Sequence, residues 1–277
     1  MTGFLFGWYH SAINKKELKI MKKILAIVLA IITIVGCVFA FTGCNKDEKT
    51  LQVYTNAGFA PFEYVNAKGQ VVGVDIDVMK YIGNKLGYKV VINDIEFDAI
   101  LNEVKQNKLA VGAAGMSKKP DRDAVALASN VYATSIQYVI APNGAFPENA
   151  VVTTDEILAY ADKIGVQRGT TGADLIDGAI KDAGASNEIT EYANAIIASQ
   201  DIGTAACKAV IIDKLPAQAI ASSNSNLSCW QIDAEAESYV LYFNKGATEL
   251  VAQVNELLAQ MIEDGTIDQF IVNHSNK

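Results

Sequence analysis

"VGAAGMSKKPDR" (residues 111–122) joins an apolar, small-residue run to a polar turn holding Ser117, two lysines, Pro120, Asp121 and Arg122. The first half suits a buried strand. The second half surfaces, with a hydroxyl at the strand end and an arginine just past a proline. One reading is a strand that turns at the surface, with Arg122 solvated on a helix. The other is that strand end and helix start together hold a carboxylate, for which the planar fork of arginine supplies two parallel charge-assisted bonds. The flanking elements decide the fold in which that question is posed.

Upstream, "LQVYTN" reads as a buried strand, and "FEYVNAKGQVVGV" as a hairpin turning at Ala67, Lys68 and Gly69. "DIDVMKYIGNKLG" spaces Val78, Met79, Ile82 and Leu86 as one helical face, with Asp75 or Asp77 as its cap and Gly87 as its stop. "YKVVIND" is a second strand, and "FDAILNEVKQNK" a helix with Ile100, Leu101 and Val104 inward. "LAVGAAGM" is the third strand. Such alternation implies parallel pairing with helices over the sheet, and near-continuous apolar strands agree with it.

The pattern then repeats. "KIGVQ", "EITEYA", "KAVIID", "NLSCWQI" and "ESYVLYFN" read as strands, while "TGADLIDGAIKDAG", "AIIASQDIGTAAC" and "KLPAQAIAS" read as helices. A last helix, "TELVAQVNELLAQMIEDG", aligns Leu250, Val251, Val254, Leu257, Leu258, Met261 and Ile262, with Gly265 as its stop. Two α/β units of similar design therefore face each other. In such folds the ligand lies beyond the carboxyl ends of the strands, here in a cleft between units.

Composition narrows the function. The chain has 277 residues, 51% of them apolar and 19% charged, enough to pack a real core. Met21-Lys22-Lys23 followed by "ILAIVLAIITIVGCVFAFTGC" has the grammar of a secretory leader. Met21 is the more natural start, with residues 1–20 a dispensable extension. From Cys44 onward, 18 Lys+Arg face 30 Asp+Glu, a formal −12, which argues against nucleic acid as a partner. Cys207 and Cys229 are too few for a zinc cage; they are either buried thiols or a disulfide. His10 and His274 stand at the two extremes of the sequence, so a Ser-His or Cys-His nucleophile lacks a base. No phosphate-loop or dinucleotide fingerprint occurs, so the sequence calls for no cofactor and no metal.

At the strand ends the first unit offers Phe59, Phe62, Phe97, Gly115, Ser117 and Arg122; the second offers Thr170, Thr171 and Asp213. Together they suit a free α-amino acid. Arginine and helix-start amides take the carboxylate, an aspartate takes the ammonium, and aromatic faces take the side chain. Phe62 is expected to be packing and Phe59 an exposed platform. The bland alternatives are that Arg122 is a surface residue and that Asp213 caps the helix it precedes.

The order "FAPFEY…GVDIDVMKYIGNKLG…FDAILNEVKQNKLAVGAAGMSKKPDR", continued by "QRGTTG", "AVIIDKLPA" and "VNELLAQMIEDGTIDQF", resembles the bacterial extracellular solute-binding proteins of family 3, the polar amino-acid class serving ABC importers. The resemblance covers nearly everything from about residue 50. It implies a periplasmic-binding-protein-like, two-lobed α/β flytrap of type II topology with two crossover hinge segments, near residues 132–137 and 239–242. Residues 1–44 would be extension and signal peptide. Residues 45–135 would begin the first lobe, 136–239 would form the second, and 240–277 would return to the first. It implies Phe59 and Phe97 against the ligand side chain and Gly115, Ser117 and Arg122 at its carboxylate. Ala114 would offer a carbonyl to the ammonium, alongside Thr170, Thr171 and Asp213.

The resemblance also implies a lipobox. Cys44 is the preferred lipidation site, with Cys37 and a retained signal anchor as the other readings. The protein would then be a monomer anchored by lipid to the outer face of the membrane, handing its ligand to a permease and ATPase complex. Asn56 stands where relatives for cationic or amide side chains often carry an acid, which weakens a strongly cationic ligand. Two other classes are weighed. A dehydratase-type enzyme would need an acid or base such as Glu63 or Asp213, and neither looks spare. A sensory input module would need a kinase, methyl-accepting or second membrane segment, which the sequence does not carry.

Overall fold

The computed structural model describes residues 49–275, and the leader, Cys37 and Cys44 lie outside them. Thr50–Thr55 is an interior strand of the five-stranded first sheet, and its inward residues, Leu51 and Val53, are wholly buried. It pairs in parallel with Lys89–Asp94 on one side and Ala110–Gly112 on the other. Two short strands from distant sequence, Tyr242–Phe243 and Leu127–Ala128, extend that sheet in antiparallel sense. The hairpin Glu63–Val65 and Val71–Val72 turns where expected, and Gly58–Phe59 joins it to make three strands.

The second sheet has six strands, ordered Val151–Val152, Leu227–Ile232, Gln137–Pro142, Ala209–Asp213, Lys163–Gln167 and Glu188–Tyr192. It is mixed rather than purely parallel, since Gln137–Pro142 runs antiparallel to both neighbours. That inversion follows from the crossover delivering Gln137–Pro142 directly into the sheet. Ala133–Ser135 pairs antiparallel with Glu237–Tyr239, making the two-stranded ribbon that both crossings share. The architecture is thus the two-lobed α/β fold that the sequence implies.

Several local expectations are corrected. The helix Val74–Leu86 is preceded by Gly73 and has no side-chain cap; Asp75 and Asp77 turn elsewhere. Gly87 closes it in the left-handed conformation, as read. Of the next helix, Ile100 and Val104 are fully buried, whereas Leu101 is only partly so. The run "AIIASQDIGTAAC" is helical only over Ala195–Gln200, capped by Asn194, because Gly203 at φ +86° and the Thr204 turn break it. "ESYVLYFN" divides into Glu237–Tyr239 and Tyr242–Phe243, one strand for the ribbon and one for the first sheet.

The last long helix, Thr248–Glu263, buries Leu250, Val251, Val254, Leu258 and Met261, but Ile262 is 48% exposed. Gly265 is not a final stop. At φ +76° it reverses the chain into a further helix, Thr266–Ser275. That helix buries His274, whose ring meets Tyr64 Oη at 3.0 Å and Asp77 at 2.9 Å. Cys207 and Cys229 are both free thiols. Among the described residues no helix is long and apolar enough to cross a membrane.

Candidate functional site

The third strand of the first sheet is shorter than the run "LAVGAAGM" suggests, covering only Ala110–Gly112, and the chain continues past it to Ser117. Ser117 bridges to Tyr239 of the ribbon, with Lys118 N–H donating to Ser238 O at 2.8 Å and Val240 N–H to Met116 O at 3.0 Å. Ser117 is therefore pinned beside the crossover. Pro120 then opens the short helix Pro120–Val125, which swings Arg122 back inward. Arg122 is 4% exposed. Its guanidinium donates to Ser117 O at 2.8 Å and to Gly169 O at 3.0 Å, and lies 5.3 Å from the centre of the Phe97 ring. Burial pulls its pKa down from the usual value, while Tyr242, Asp121, Asp174 and Glu237 oppose that shift. The surface reading of Arg122 is thereby excluded.

All ten residues singled out in the sequence line one cleft with an empty volume of about 320 Å³: Asn56, Phe59, Phe97, Ala114, Gly115, Ser117, Arg122, Thr170, Thr171 and Asp213. Two further residues, Glu63 and Gln167, complete the wall. Phe59 is a correction in degree, being nearly buried rather than an exposed platform, though its ring still borders the cleft. That ring lies against Gly115, where a Cβ would come within 2.5 Å of it, and Gly115 has φ +53°. Both facts require glycine there. Phe62 packs edge-on against Tyr239, as expected of a core residue.

Asp213 ends its strand at 7% exposure and makes no side-chain cap for the helix Lys214–Ser223. It accepts instead from Tyr239 Oη at 2.6 Å and from Gln137 Nε2 at 3.3 Å. Burial, then the nearby Glu237 charge, raise its pKa to about 7, against the lowering effect of these hydrogen bonds. Asp75 accepts from Gly115 N–H at 2.8 Å and Tyr132 Oη at 2.6 Å, and burial still lifts it to about 6. Glu63 is different. It is 1% exposed, no side-chain hydrogen bond reaches it, and its Oε2 is sequestered. Burial and then the charges of Asp75, Asp213 and Asp94 push its pKa well above the usual carboxylate range. Glu63 is thus a spare carboxyl, which corrects the expectation that it is not.

Two further polar groups of the cleft wall, Asn56 and Gln167, are neutral and pair with each other. Gln167 Nε2 donates to Asn56 Oδ1 at 2.9 Å, and Asn56 Nδ2 donates to Ile95 O at 2.7 Å. Thr170 caps the helix Thr171–Ala183, taking the Ala173 N–H at 3.3 Å. Thr171 Oγ1 donates at 2.8 Å to Glu237, a residue of the ribbon that sequence reading also missed. Gln167 was the more legible of these, since it stands at a strand end just before "RGTTG". Among the described residues no cluster of His, Cys, Asp and Glu could hold a metal ion.

A two-lobed fold with a buried arginine, a buried aspartate and two helix-start threonines in its cleft is the architecture of a small-solute binding protein. Residues 51–276 match the bacterial extracellular solute-binding proteins, family 3, and the chain belongs to that family. The chain is 25% identical to the arginine-binding extracellular protein ArtP of Bacillus subtilis over 82% of its own length and 87% of that protein. It is 24% identical to a probable histidine-binding protein of Neisseria gonorrhoeae, covering 83% and 84% of the two chains. A shorter match, 37% identical to the probable arginine-binding protein ArtJ of Chlamydia trachomatis, spans 36% of this chain and 40% of that protein. Among solved structures, an ancestral arginine-binding protein bound to arginine superposes with TM-score 0.72 at 29% identity, covering 81% of this chain and 97% of that one. AbpA of Streptococcus pneumoniae, bound to L-arginine, gives 0.73 at 25% identity, covering 83% and 96%.

Proposed function

We propose that the protein captures one free α-amino acid in this cleft and delivers it to an ABC importer, without chemistry of its own. The observation that carries the reading is a buried cation, Arg122, and a buried strand-end acid, Asp213, lining a single cleft between the two lobes. Arg122 would clamp the carboxylate, helped by the hydroxyls and amides at Ser117 and Thr171. Asp213 would take the ammonium, with the Ala114 carbonyl beside it. Phe59 and Phe97 would flank the carbon stem. Closure about the ribbon would bury both charges away from water. In this reading residues 45–135 and 240–277 make the first lobe and 136–239 the second. A lipid on Cys44 would hold the receptor, as a monomer, outside the membrane beside its permease and ATPase.

The neutral pairing of Asn56 with Gln167 favours a polar side chain that is not strongly cationic. A second reading, a cationic ligand such as the arginine of the related arginine-binding proteins, is favoured by the unpartnered carboxyl of Glu63 in the same wall. A thermal-shift screen of the purified protein against the twenty L-amino acids, L-cystine and L-ornithine separates the two. A saturable rise with uncharged polar amino acids, lost in Arg122→Ala, supports the first. A rise confined to arginine, lysine or ornithine replaces it with the second. No rise with any of them overturns the amino-acid reading.

A further inference from the structure

The two hydroxyls that a ligand carboxylate would use are already committed within the protein. Ser117 Oγ, in the segment that follows the first-lobe strand Ala110–Gly112, donates to Oε2 of Glu237. Thr171 Oγ1, at the start of a second-lobe helix, donates to the same oxygen at 2.8 Å. The other oxygen, Oε1, accepts from Gln137 Nε2 at 2.8 Å. Glu237 sits on the ribbon strand Glu237–Tyr239, so its carboxylate gathers donors from both sides of the cleft. A hydroxyl carries one proton and serves one acceptor at a time. Arg122 keeps its hydrogen bonds for the carbonyls of Ser117 and Gly169 and retains further N–H groups for an incoming anion.

We propose that Glu237 is a built-in competitor for the ligand's carboxylate, holding the Ser117 and Thr171 hydroxyls and repelling a second anion beside them. The proposal rests on the amino-acid reading above and adds a residue that sets affinity without contacting the ligand. The arriving carboxylate pairs with Arg122, and Glu237 must either surrender the hydroxyls or stand against it as a like charge. Both routes weaken binding, and both act only on a ligand bearing a carboxylate. The charge of Glu237 also bears on Asp213, where it helps raise the pKa. Removing it therefore eases the ammonium end only in so far as Asp213 ionises more readily, an effect shared by ligands with or without a carboxylate.

The test titrates wild type and Glu237→Gln with the twenty L-amino acids and, separately, with their carboxamides, which keep the ammonium and lose the anion. Glutamine keeps the size of the side chain and an acceptor for Gln137; Glu237→Ala serves as the second variant if thermal melts show that Gln packs badly. The free amino acids that bind wild type are expected to gain about tenfold in either variant, with a markedly smaller gain for their amides. Unchanged or weaker binding of the free amino acids overturns the proposal, and weaker binding of both series would place Glu237 at the ammonium instead. Equal gains for acids and amides also overturn it, pointing to Asp213 or to lobe opening. Binding of no amino acid by any of the three proteins is a different failure, that of the receptor reading itself.

Discussion

The two ends of the cleft handle charge by opposite means. At one, Arg122 is fixed by two backbone carbonyls and the face of Phe97, none of which titrates. A guanidinium stays charged throughout the physiological range, so the positive charge at this end does not depend on pH. At the other, Asp213 lies among Tyr239, Gln137 and Glu237, with the unpartnered Glu63 nearby, and its charge depends on a proton held to about pH 7. With Arg122 at the carboxylate and Asp213 at the ammonium, as proposed, only the ammonium contact is coupled to protons.

The largest test of that contrast is Arg122→Ala. It leaves a desolvated carboxylate without its partner and should cost about 2–5 kcal/mol of binding by calorimetry. An isotherm like the wild type's would remove the cation from the account. Next is Asp213→Asn, expected to weaken binding by roughly 2 kcal/mol, in line with losing one partner of a buried charge pair. The same change should stabilise the protein in the absence of amino acids. The sign follows from linkage. With the folded pKa raised to about 7, the unfolded chain releases this proton first as pH climbs, so stability from this group is fully present below the ordinary carboxylate range and is lost by about pH 7. Thermal melts from pH 4 to 8 should therefore fall less steeply for D213N than for wild type; parallel curves would mean that Asp213 ionises normally.

A smaller effect is expected on affinity itself. Pairing with an ammonium requires the ionised form of Asp213, so binding should tighten from pH 5.5 to 7.5 and level off above. Near pH 6.5 it should release protons, read as a buffer-dependent enthalpy. Smallest is Gln167→Ala, which removes one donor from the neutral Asn56–Gln167 pair. It should cost about 1 kcal/mol for ligands with a polar side chain and little for alanine. Equal losses across side chains would move Gln167 from specificity to lobe packing.

Most of this site was legible because its parts stand at strand ends. A hydroxyl or acid that closes an apolar run, such as Ser117 or Asp213, is conspicuous in the sequence. So is an arginine following a proline. Glu63 was not legible as a spare acid, because its isolation depends on what Asp75, Asp94 and Asp213 do around it. Glu237 was missed for a similar reason. Its partners Ser117, Gln137 and Thr171 lie 120, 100 and 66 residues away in sequence, and only the ribbon brings them together. In the fold, helical spacing located Val74–Leu86 and Thr248–Glu263 well, since each hides a continuous apolar face. It failed at residues 201–207, where small apolar residues continue the composition of a helix but Gly203 and Thr204 turn the chain. Gly265 misled in the other direction, since a left-handed residue can redirect one helix into another as readily as end it.

The central claim is that both ends of a zwitterion are read at once. Its most direct test is calorimetry of the purified protein with the twenty L-amino acids, their carboxamides and their N-acetyl derivatives. The account predicts that at least one free amino acid binds and that both of its blocked forms bind at least 100-fold more weakly. Equal affinity for the free form and either blocked form would contradict it.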